Sequence, residues 1–136
     1  MPQHRLRLVL APTSEDVSRA GAALRAMLDA CCGPGSHCHD IELGVAEALA
    51  NVVRHGSRRT FIALRCTCGP AGVRVLAADD GNPADMTKLP AALPADPLAG
   101  SGRGLWIIAR TVDAFRYRRF RSLNVHCLER RAACAR

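Results

Sequence analysis

The sequence predicts an α+β fold, a two-layer sandwich in which helices cover one face of a mixed, mostly antiparallel sheet. Helical and strand-like segments follow one another in blocks, in the order β-α-α-β-β-loop-α-β-β. Two pairs of strands are separated only by short turns, which is typical of antiparallel pairing. Of the 136 residues, 49% are apolar, which is enough to form the core of one domain over residues 1–136.

The first half of the chain is predicted to contain one strand and two helices. Alternating Arg and Leu predict a strand over 5–10. Hydroxyl residues followed by two acids at 13–16 mark the start of a helix that runs to about residue 31. The Gly-Pro-Gly at 33–35 ends it. A serine that can act as a cap then begins a second helix over 36–56.

The second half is predicted to contain two strand pairs on either side of a long loop and a helix. The strands are expected over 59–67, 72–79, 114–121 and 123–130. The first pair is joined by a turn at 68–71. Residues 80–102 are rich in Gly, Pro, Ala and Asp and are too long for a simple connection, so we interpret them as a functional lid. A helix is predicted over 103–113.

The composition restricts the class of protein. No apolar segment approaches the ~20 residues that a membrane-spanning helix needs. The apolar stretch near the N-terminus is only about five residues long and is interrupted by arginine, so it makes a poor secretion signal. We therefore expect a cytoplasmic protein without a membrane partner.

The cysteines leave one alternative open. There are seven, an odd number, so they cannot all pair within one chain, and we expect reduced thiols. The segment 31–40, CCGPGSHCHD, contains residue types that bind zinc, namely Cys31, Cys32, His37, Cys38 and His39. Their spacing matches no recurring zinc pattern, and Gly-Pro-Gly is typical of a loop between helices. We therefore favour the loop over a structural metal.

The net charge of +7 comes almost entirely from arginine. The densest run is FRYRRFR at 115–121, which we interpret as the solvent face of an edge hairpin. An acidic protein partner and nucleotide phosphates remain alternatives for this face. Nucleic acid is a weaker one, because the chain has no recognisable nucleic-acid motif.

The most informative segment is DIELGVAEALANVVRHG at 40–56. Its apolar residues recur at helical spacing, while Glu47 and Asn51 point the same way, one turn apart, from another face. A carboxylate can accept a proton, and an amide oxygen can bind a hard cation such as Mg²⁺. The pair therefore suits chemistry on a phosphate, although a solvated helix face would look the same.

Two glycine-containing segments follow. ADDGNPAD at 78–85 places Asp79 and Gly81 at the end of a strand, where a carboxylate can accept a hydrogen bond from a planar amine and glycine allows a ring to approach the backbone. GSGRGLWII at 100–108 opens a helix, and backbone N–H groups at a helix N-terminus suit phosphate. Each motif is weak alone, but their order along the chain is specific.

Together these segments resemble the nucleotide-binding fold of gyrase, Hsp90, histidine kinases and MutL, the GHKL superfamily. Within it, D-I-x-x-x-V-A-E-A-L-A-N-V-V-x-H-G, the D-x-G-x-P-x-D form of 79–85, and GRGLWII resemble the small anti-sigma-factor serine kinases of bacterial partner-switching systems. The resemblance covers about residues 4–130. The one strand and one helix that are predicted before the first motif also fit this branch.

The resemblance implies a role for each motif residue. Glu47 would be the general base toward the attacking hydroxyl, and Asn51 would bind the Mg²⁺ that bridges the ATP phosphates. Asp79 would bind the adenine amine. The other residues implied to bind nucleotide are His55, Gly81, Gly102, Arg103, Gly104 and Leu105. On the first helix, Arg19 occupies a position where family members contact their protein partners.

The resemblance also implies cofactors and partners. The cofactors are ATP and Mg²⁺, and the partners are a STAS-type antagonist, which is phosphorylated, and a sigma factor or other regulatory target, which is sequestered. A homodimer is expected, and direct nucleic-acid binding is not. The alternative is a non-catalytic ATP-binding switch module that acts by stoichiometric capture, because SLNVHCL at 122–128 lacks the Gly-Thr that usually closes the adenine pocket.

Overall fold

The computed structural model describes residues 3–55, 60–83 and 103–131. These ranges contain five strands, three α-helices and one short 3-10 helix. In chain order they are β1 (His4–Leu10), α1 (Ser14–Cys32), the 3-10 helix (His37–Asp40), α2 (Ile41–His55), β2 (Ile62–Gly69), β3 (Gly72–Asp79), α3 (Arg103–Thr111), β4 (Ala114–Phe120) and β5 (Leu123–Arg131). None of the helices in these ranges is long and apolar enough to cross a bilayer.

The five strands form one sheet in the order β1-β2-β3-β5-β4. All four pairings between the described strands are antiparallel. The α+β prediction is confirmed, although the sheet lacks the parallel pairing that a mixed sheet would have. Strands β1 and β4 are the edges, and β3 lies in the middle between β2 and β5. The sheet thus brings the end of β3, which carries the predicted adenine-binding motif, next to the start of β5.

The core lies between the sheet and the helices. Alternate residues of β2 and β3 are buried, as expected for strands with one covered face. The largest fully buried side chains come from all three helices and from three strands: Leu24, Leu28, Ile41, Leu49, Ile62, Cys66, Cys68, Val75, Ile108 and Leu128. Burial of each large aliphatic side chain contributes roughly 1.5–3 kcal/mol, so this layer holds α2 and α3 in place.

Helix α1 begins and ends where the sequence predicts. The Thr13 side-chain oxygen accepts a hydrogen bond from the backbone N–H of Asp16 at 3.2 Å, which satisfies one of the free donors of the first turn. At the other end Gly33 adopts φ +83°, a conformation that side chains disfavour, and its N–H donates to the carbonyl of Asp29.

The start of the second helix differs from the prediction. Ser36 does act as a cap, but its hydroxyl accepts from the N–H of Cys38 at 3.1 Å and caps the 3-10 helix at 37–40. The α-helix itself begins only at Ile41. A tighter 3-10 turn at the entrance of an α-helix is common, and hydrophobic spacing does not separate the two forms over four residues.

Two other predicted boundaries differ from the structure, at the end of β2 and at the end of α3. The β2–β3 turn comprises only Pro70 and Ala71, because β2 continues to Gly69 and Cys68 pairs with Val73. Cys68 is buried, so the alternation of the strand extends past the predicted end. Helix α3 ends at Thr111, two residues earlier than predicted. The lid prediction over 80–102 lies outside the described residues from 84 onward.

Candidate functional site

Helices α2 and α3 pack closely in antiparallel directions. A Cβ atom on Gly44 of α2 would lie 2.6 Å from Thr111 Oγ1, at the end of α3. A Cβ atom on Gly104, at the start of α3, would lie 2.9 Å from Glu47 Oε2 and 3.6 Å from the side-chain amide atoms of Asn51. Each helix therefore has a glycine at the contact, Gly44 on α2 and Gly104 on α3. The missing side chains allow the two helices to lie this close together.

The contact at Gly104 joins two of the three predicted motifs. Glu47 and Asn51 are both partly buried on α2, and the first turn of α3 lies directly against them. The first backbone N–H groups of a helix have no partner within the helix and carry a partial positive charge. The carboxylate and the amide thus lie beside donors that suit an anionic group such as a phosphate.

Asp79 ends β3 and is 2% exposed. Its Oδ1 accepts hydrogen bonds from the backbone N–H of Gly81 at 2.9 Å and from Asn124 Nδ2 at 2.9 Å. Its Oδ2 is buried and has no hydrogen-bond partner among the described residues. His126 Nε2 lies 3.5 Å from that oxygen, too far for a strong hydrogen bond. A buried acceptor of this kind fits a ligand that donates a hydrogen bond, such as the adenine amine.

The environment of Asp79 favours its charged form. Burial opposes ionisation, but the contacts with His126 and Asn124 and the N–H of Gly81 outweigh it and lower the pKa of Asp79 below its usual value. The carboxyl group is therefore an acceptor at neutral pH, as recognition of an amine requires.

Asn124 is a site residue that the motifs did not reveal. Besides Asp79, its amide nitrogen contacts the carbonyl oxygens of Gly81 at 3.2 Å and Asn82 at 2.9 Å. One side chain from β5 thereby holds the turn that follows β3. Asn124 stands directly opposite Asp79 in the sheet, and only the register between β3 and β5 brings the two together.

Further residues of the β4–β5 hairpin complete this polar network. Arg119 donates to the carbonyl of Gly81 at 2.8 Å and to Asn124 Oδ1 at 3.0 Å. The Tyr117 hydroxyl also donates to Asn124 Oδ1. His126 is buried, its ring centroid lies 5.2 Å from that of Tyr117, and its Nδ1 has no hydrogen-bond partner among the described residues. The sequence carries a signal for Asn124 and His126. These residues alternate with apolar ones along β5 and share the buried face of the strand with Leu128.

Asp80, the neighbour of Asp79, has a different role. Its Oδ1 accepts from the backbone N–H groups of Thr60 at 2.6 Å and Phe61 at 3.2 Å, and its Oδ2 accepts from the Thr60 hydroxyl. These hydrogen bonds, led by the one from the Thr60 side chain, lower the pKa of Asp80. Asp80 therefore fixes the entrance to β2 and is the structural member of the Asp-Asp pair.

The structure locates the other predicted residues to different extents. His55 is the last residue of α2, and Arg103 and Leu105 lie in the first turn of α3. The structure describes the backbone of these three residues but not their side chains. Gly102 lies outside the described residues. Arg19 is exposed on the outer side of α1, and its guanidinium pairs with Asp16 one turn earlier. None of the described contacts links Arg19 to Glu47 or Asn51.

The comparison with protein families defines the class. Residues 10–128 match the model of the histidine kinase-like ATPase domain. The chain therefore belongs to this family of ATPase domains, which confirms the GHKL-type fold predicted from the three motifs. Membership implies that the chain binds ATP. Asp79 Oδ2, which accepts no hydrogen bond from the described residues, and the close approach at Gly104 fit that ligand.

A comparison with solved structures gives a particular relative. The chain is similar to the crystal structure of the RsbU and RsbW domains of Rv1364c from Mycobacterium tuberculosis, with 20% identity and a TM-score of 0.62. The match covers 99% of this chain and 34% of that one, so this chain spans about a third of its length. The similarity establishes the shared fold. A search among curated proteins gives no match.

Proposed function

We propose that the protein is an ATP- and Mg²⁺-dependent serine/threonine kinase of a partner-switching system. It phosphorylates a STAS-type antagonist protein and otherwise sequesters a sigma factor or another regulatory target. The observation that supports this most directly is the contact of the first turn of α3 with both Glu47 and Asn51. The RsbW domain in the similar solved structure supports the partner-switching setting.

The proposed mechanism assigns separate tasks to these two side chains. Bound ATP would supply the transferred γ-phosphoryl group, and Asn51 would hold the Mg²⁺ that neutralises the phosphate charge. Glu47 would accept the proton of the substrate hydroxyl as the new oxygen–phosphorus bond forms and the bond to the leaving ADP breaks. Both side chains project from the same face of one rigid helix, one turn apart, so base and metal ligand keep a fixed relation.

Nucleotide specificity is assigned to Asp79. Its unpaired Oδ2 accepts from the adenine amine, while Oδ1 is held by Gly81 and Asn124. Gly81 is buried, and the absence of a side chain there lets the base approach the backbone. Arg19 is the proposed contact for protein partners, since its side chain is 78% exposed and its one described ion pair is with Asp16 on the same helix.

A binding-only switch module remains the second candidate, and one observation favours it. Asn124 and His126 occupy positions beside Asp79 in the strand that lacks the usual Gly-Thr. If these side chains restrict the adenine pocket, the protein would regulate by capture alone. Retention of the Glu47–Asn51 pair favours the kinase, because a module without chemistry has no need of a base.

The deciding experiment is phosphoryl transfer from labelled ATP to candidate STAS proteins, with capture measured in parallel. Glu47→Ala should keep MgATP affinity within a few-fold, whereas transfer should fall by at least ~10²-fold, the usual scale for loss of a general base. Asn51→Ala should lose both nucleotide binding and transfer, because the metal then has no ligand on α2.

Arg19→Ala is the matched variant for the partner surface. It should leave ATP binding unchanged and weaken capture of the protein partner. Equal and negligible transfer by wild type and Glu47→Ala, with capture retained, would establish the binding module in place of the kinase.

A further inference from the structure

Three cysteine sulfurs converge where the end of α1 meets β2. Cys31 and Cys32 are the last two residues of α1, and Cys68 lies near the end of β2. The three Sγ atoms all lie within 4.8 Å of one another. The Sγ atoms of Cys32 and Cys68 are 3.3 Å apart. The sequence indicates Cys31 and Cys32 as possible zinc ligands but favours a loop over a metal site, and it does not connect them with Cys68, which is expected in a turn.

A fourth thiol borders the group. Cys38, from the 3-10 helix, interacts through its side chain with Cys32. Cys31, Cys38 and Cys68 are all buried, and Cys32 is half-buried. Two elements thus bring three thiols together, a third element places Cys38 beside one of them, and the Gly-Pro-Gly turn at 33–35 carries the chain from α1 to Cys38.

The spacing of these thiols matches what a thiophilic cation requires. With zinc–sulfur bonds of ~2.3 Å, the sulfurs of a tetrahedral site lie about 3.8 Å apart. The 3.3 Å separation of Cys32 and Cys68 and the 4.8 Å limit for all three pairs bracket that value. The separations of these three sulfurs are therefore compatible with binding to one cation.

Burial also affects the ionisation of two of these thiols. Burial is the main cause that raises the pKa of Cys68, and of Cys38. A bound cation would supply the positive charge that stabilises the thiolates.

We propose that Cys31, Cys32, Cys38 and Cys68 form a binding site for a thiophilic d¹⁰ cation, Zn²⁺ or Cu⁺. Such a cation would tie the end of α1 and the 3-10 helix to β2, and four thiolates are a common structural ligand set for zinc. Cys68 and the Asp79 partner Ile62 stand at opposite ends of β2, about 20 Å apart at the usual rise per residue. The metal site is therefore structural and separate from the nucleotide site.

The first test is the metal content of the full chain. The protein should be purified with reductant and without added metal, and zinc and copper should be quantified by mass spectrometry. We expect about one equivalent of one of these metals per chain, as for a single thiolate site. After removal of the metal, Co²⁺ should produce a thiolate-to-cobalt charge-transfer band and the visible spectrum of tetrahedral coordination, and Zn²⁺ should abolish both.

Matched cysteine variants locate the ligands. Cys32→Ser and Cys68→Ser should reduce the metal content at least tenfold. Cys66→Ala should retain it: Cys66 is buried in the same strand, two residues before Cys68, but its sulfur is not among the three that lie within 4.8 Å of one another. Cys127→Ser should also retain it, since Cys127 donates to Glu129 from β5.

If a cysteine variant fails to fold, a measurement on the wild-type chain still tests the proposal. Alkylation followed by mass spectrometry should show that the bound metal protects Cys31, Cys32, Cys38 and Cys68, and that a chelator exposes them. Wild-type protein without metal and without a cobalt spectrum would overturn the proposal. So would a mass two units lower that traces to a Cys32–Cys68 disulfide under these reducing conditions, or metal that survives Cys68→Ser.

Discussion

Within the proposed site, Asp79 is the residue whose two oxygens have different surroundings. Oδ1 accepts hydrogen bonds from Gly81 and Asn124, whereas Oδ2 accepts none from the described residues. We expect Asp79→Asn to abolish ATP binding, because the amide would direct a donor at the adenine amine and leave that group unsatisfied. Titration calorimetry with MgATP measures the effect.

Asp80→Asn is the control for this variant. It changes the same charge one residue away, but its carboxylate binds Thr60 and Phe61 at the entrance to β2. Asp80→Asn should lower thermal stability slightly and leave the affinity for ATP within a few-fold. If both variants bind nucleotide equally well, Asp79 does not recognise the base.

Gly104 gives a second prediction at the residue scale. A methyl group there would stand 2.9 Å from Glu47 Oε2, so the carboxylate would have to move away from the start of α3. Gly104→Ala should therefore reduce phosphoryl transfer by at least ~10-fold, since small displacements of positioned groups are costly in catalysis. The assay is the same transfer from labelled ATP.

The control for Gly104→Ala is Gly21→Ala in α1. A Cβ atom on Gly21 meets nothing within 4 Å. The substitution should leave transfer unchanged and raise the free energy of unfolding by ~0.5–1 kcal/mol, the usual difference between Gly and Ala within a helix. Unchanged transfer in Gly104→Ala would show that this close approach is unimportant to the chemistry.

At the scale of elements, the antiparallel packing of α2 against α3 depends on Gly44. A Cβ atom there would lie 2.6 Å from Thr111 Oγ1, 3.3 Å from Val112 Cγ1 and 3.5 Å from Leu128 Cδ2. We expect Gly44→Ala to destabilise the fold by about 1–3 kcal/mol despite the better helix propensity of alanine. Urea unfolding measures the difference.

A second substitution tests the cause of that loss. Thr111→Ala removes the nearest atom, so the double variant should recover part of the stability that Gly44→Ala loses. Additive losses in the double variant would mean that another contact limits the approach of the two helices.

Element order and type were predictable because they depend on local periodicity. The alternation in 72–79 gave the bounds of β3, and the hydroxyl and acids at 13–16 gave the start of α1. The 3-10 helix at 37–40 was missed because four residues carry no distinguishable period. Cys68 was assigned to a turn because Gly and Pro follow it, although burial against α1 extends the strand past that signal.

The candidate site was predictable only where its residues lie within motifs. Such patterns contain Glu47, Asn51 and Asp79; the first two lie on α2 beside the start of α3, and Asp79 ends β3. Asn124, His126 and Arg119 reach the site through the pairing of β5 with β3 and β4. Register between strands distant in sequence is set by tertiary packing, which a single sequence does not display.

At the scale of the whole molecule, a cluster of four arginines lies on the sheet face that the helices leave uncovered. Arg5, Arg7, Arg65 and Arg74 line one groove there with Gln3, Thr67 and Leu76. Arg7 and Arg65 stand directly opposite each other on β1 and β2. Like charges repel across such a pair, so this face opposes contact with a copy of itself.

The position of β1 in the sheet leads to the prediction about assembly. Among the described strands, β1 pairs only with β2 and forms an edge of the sheet, and its residue Val9 is 78% exposed. We expect a homodimer formed through β1 and α1, because edge strands are usually covered or charged and pairing with a second copy satisfies the backbone. Light scattering at tens of micromolar should give twice the mass of the chain.

Val9→Arg should shift that equilibrium to monomer with little loss of stability, since the side chain already faces solvent. Phe120→Arg is the matched control: Phe120 is also exposed, at 59%, but it lies on β4, the opposite edge of the sheet. A dimer that persists in Val9→Arg and dissociates in Phe120→Arg would place the interface on β4. A wild-type monomer at these concentrations would exclude the dimer, and β1 would then be an edge protected by its arginines alone.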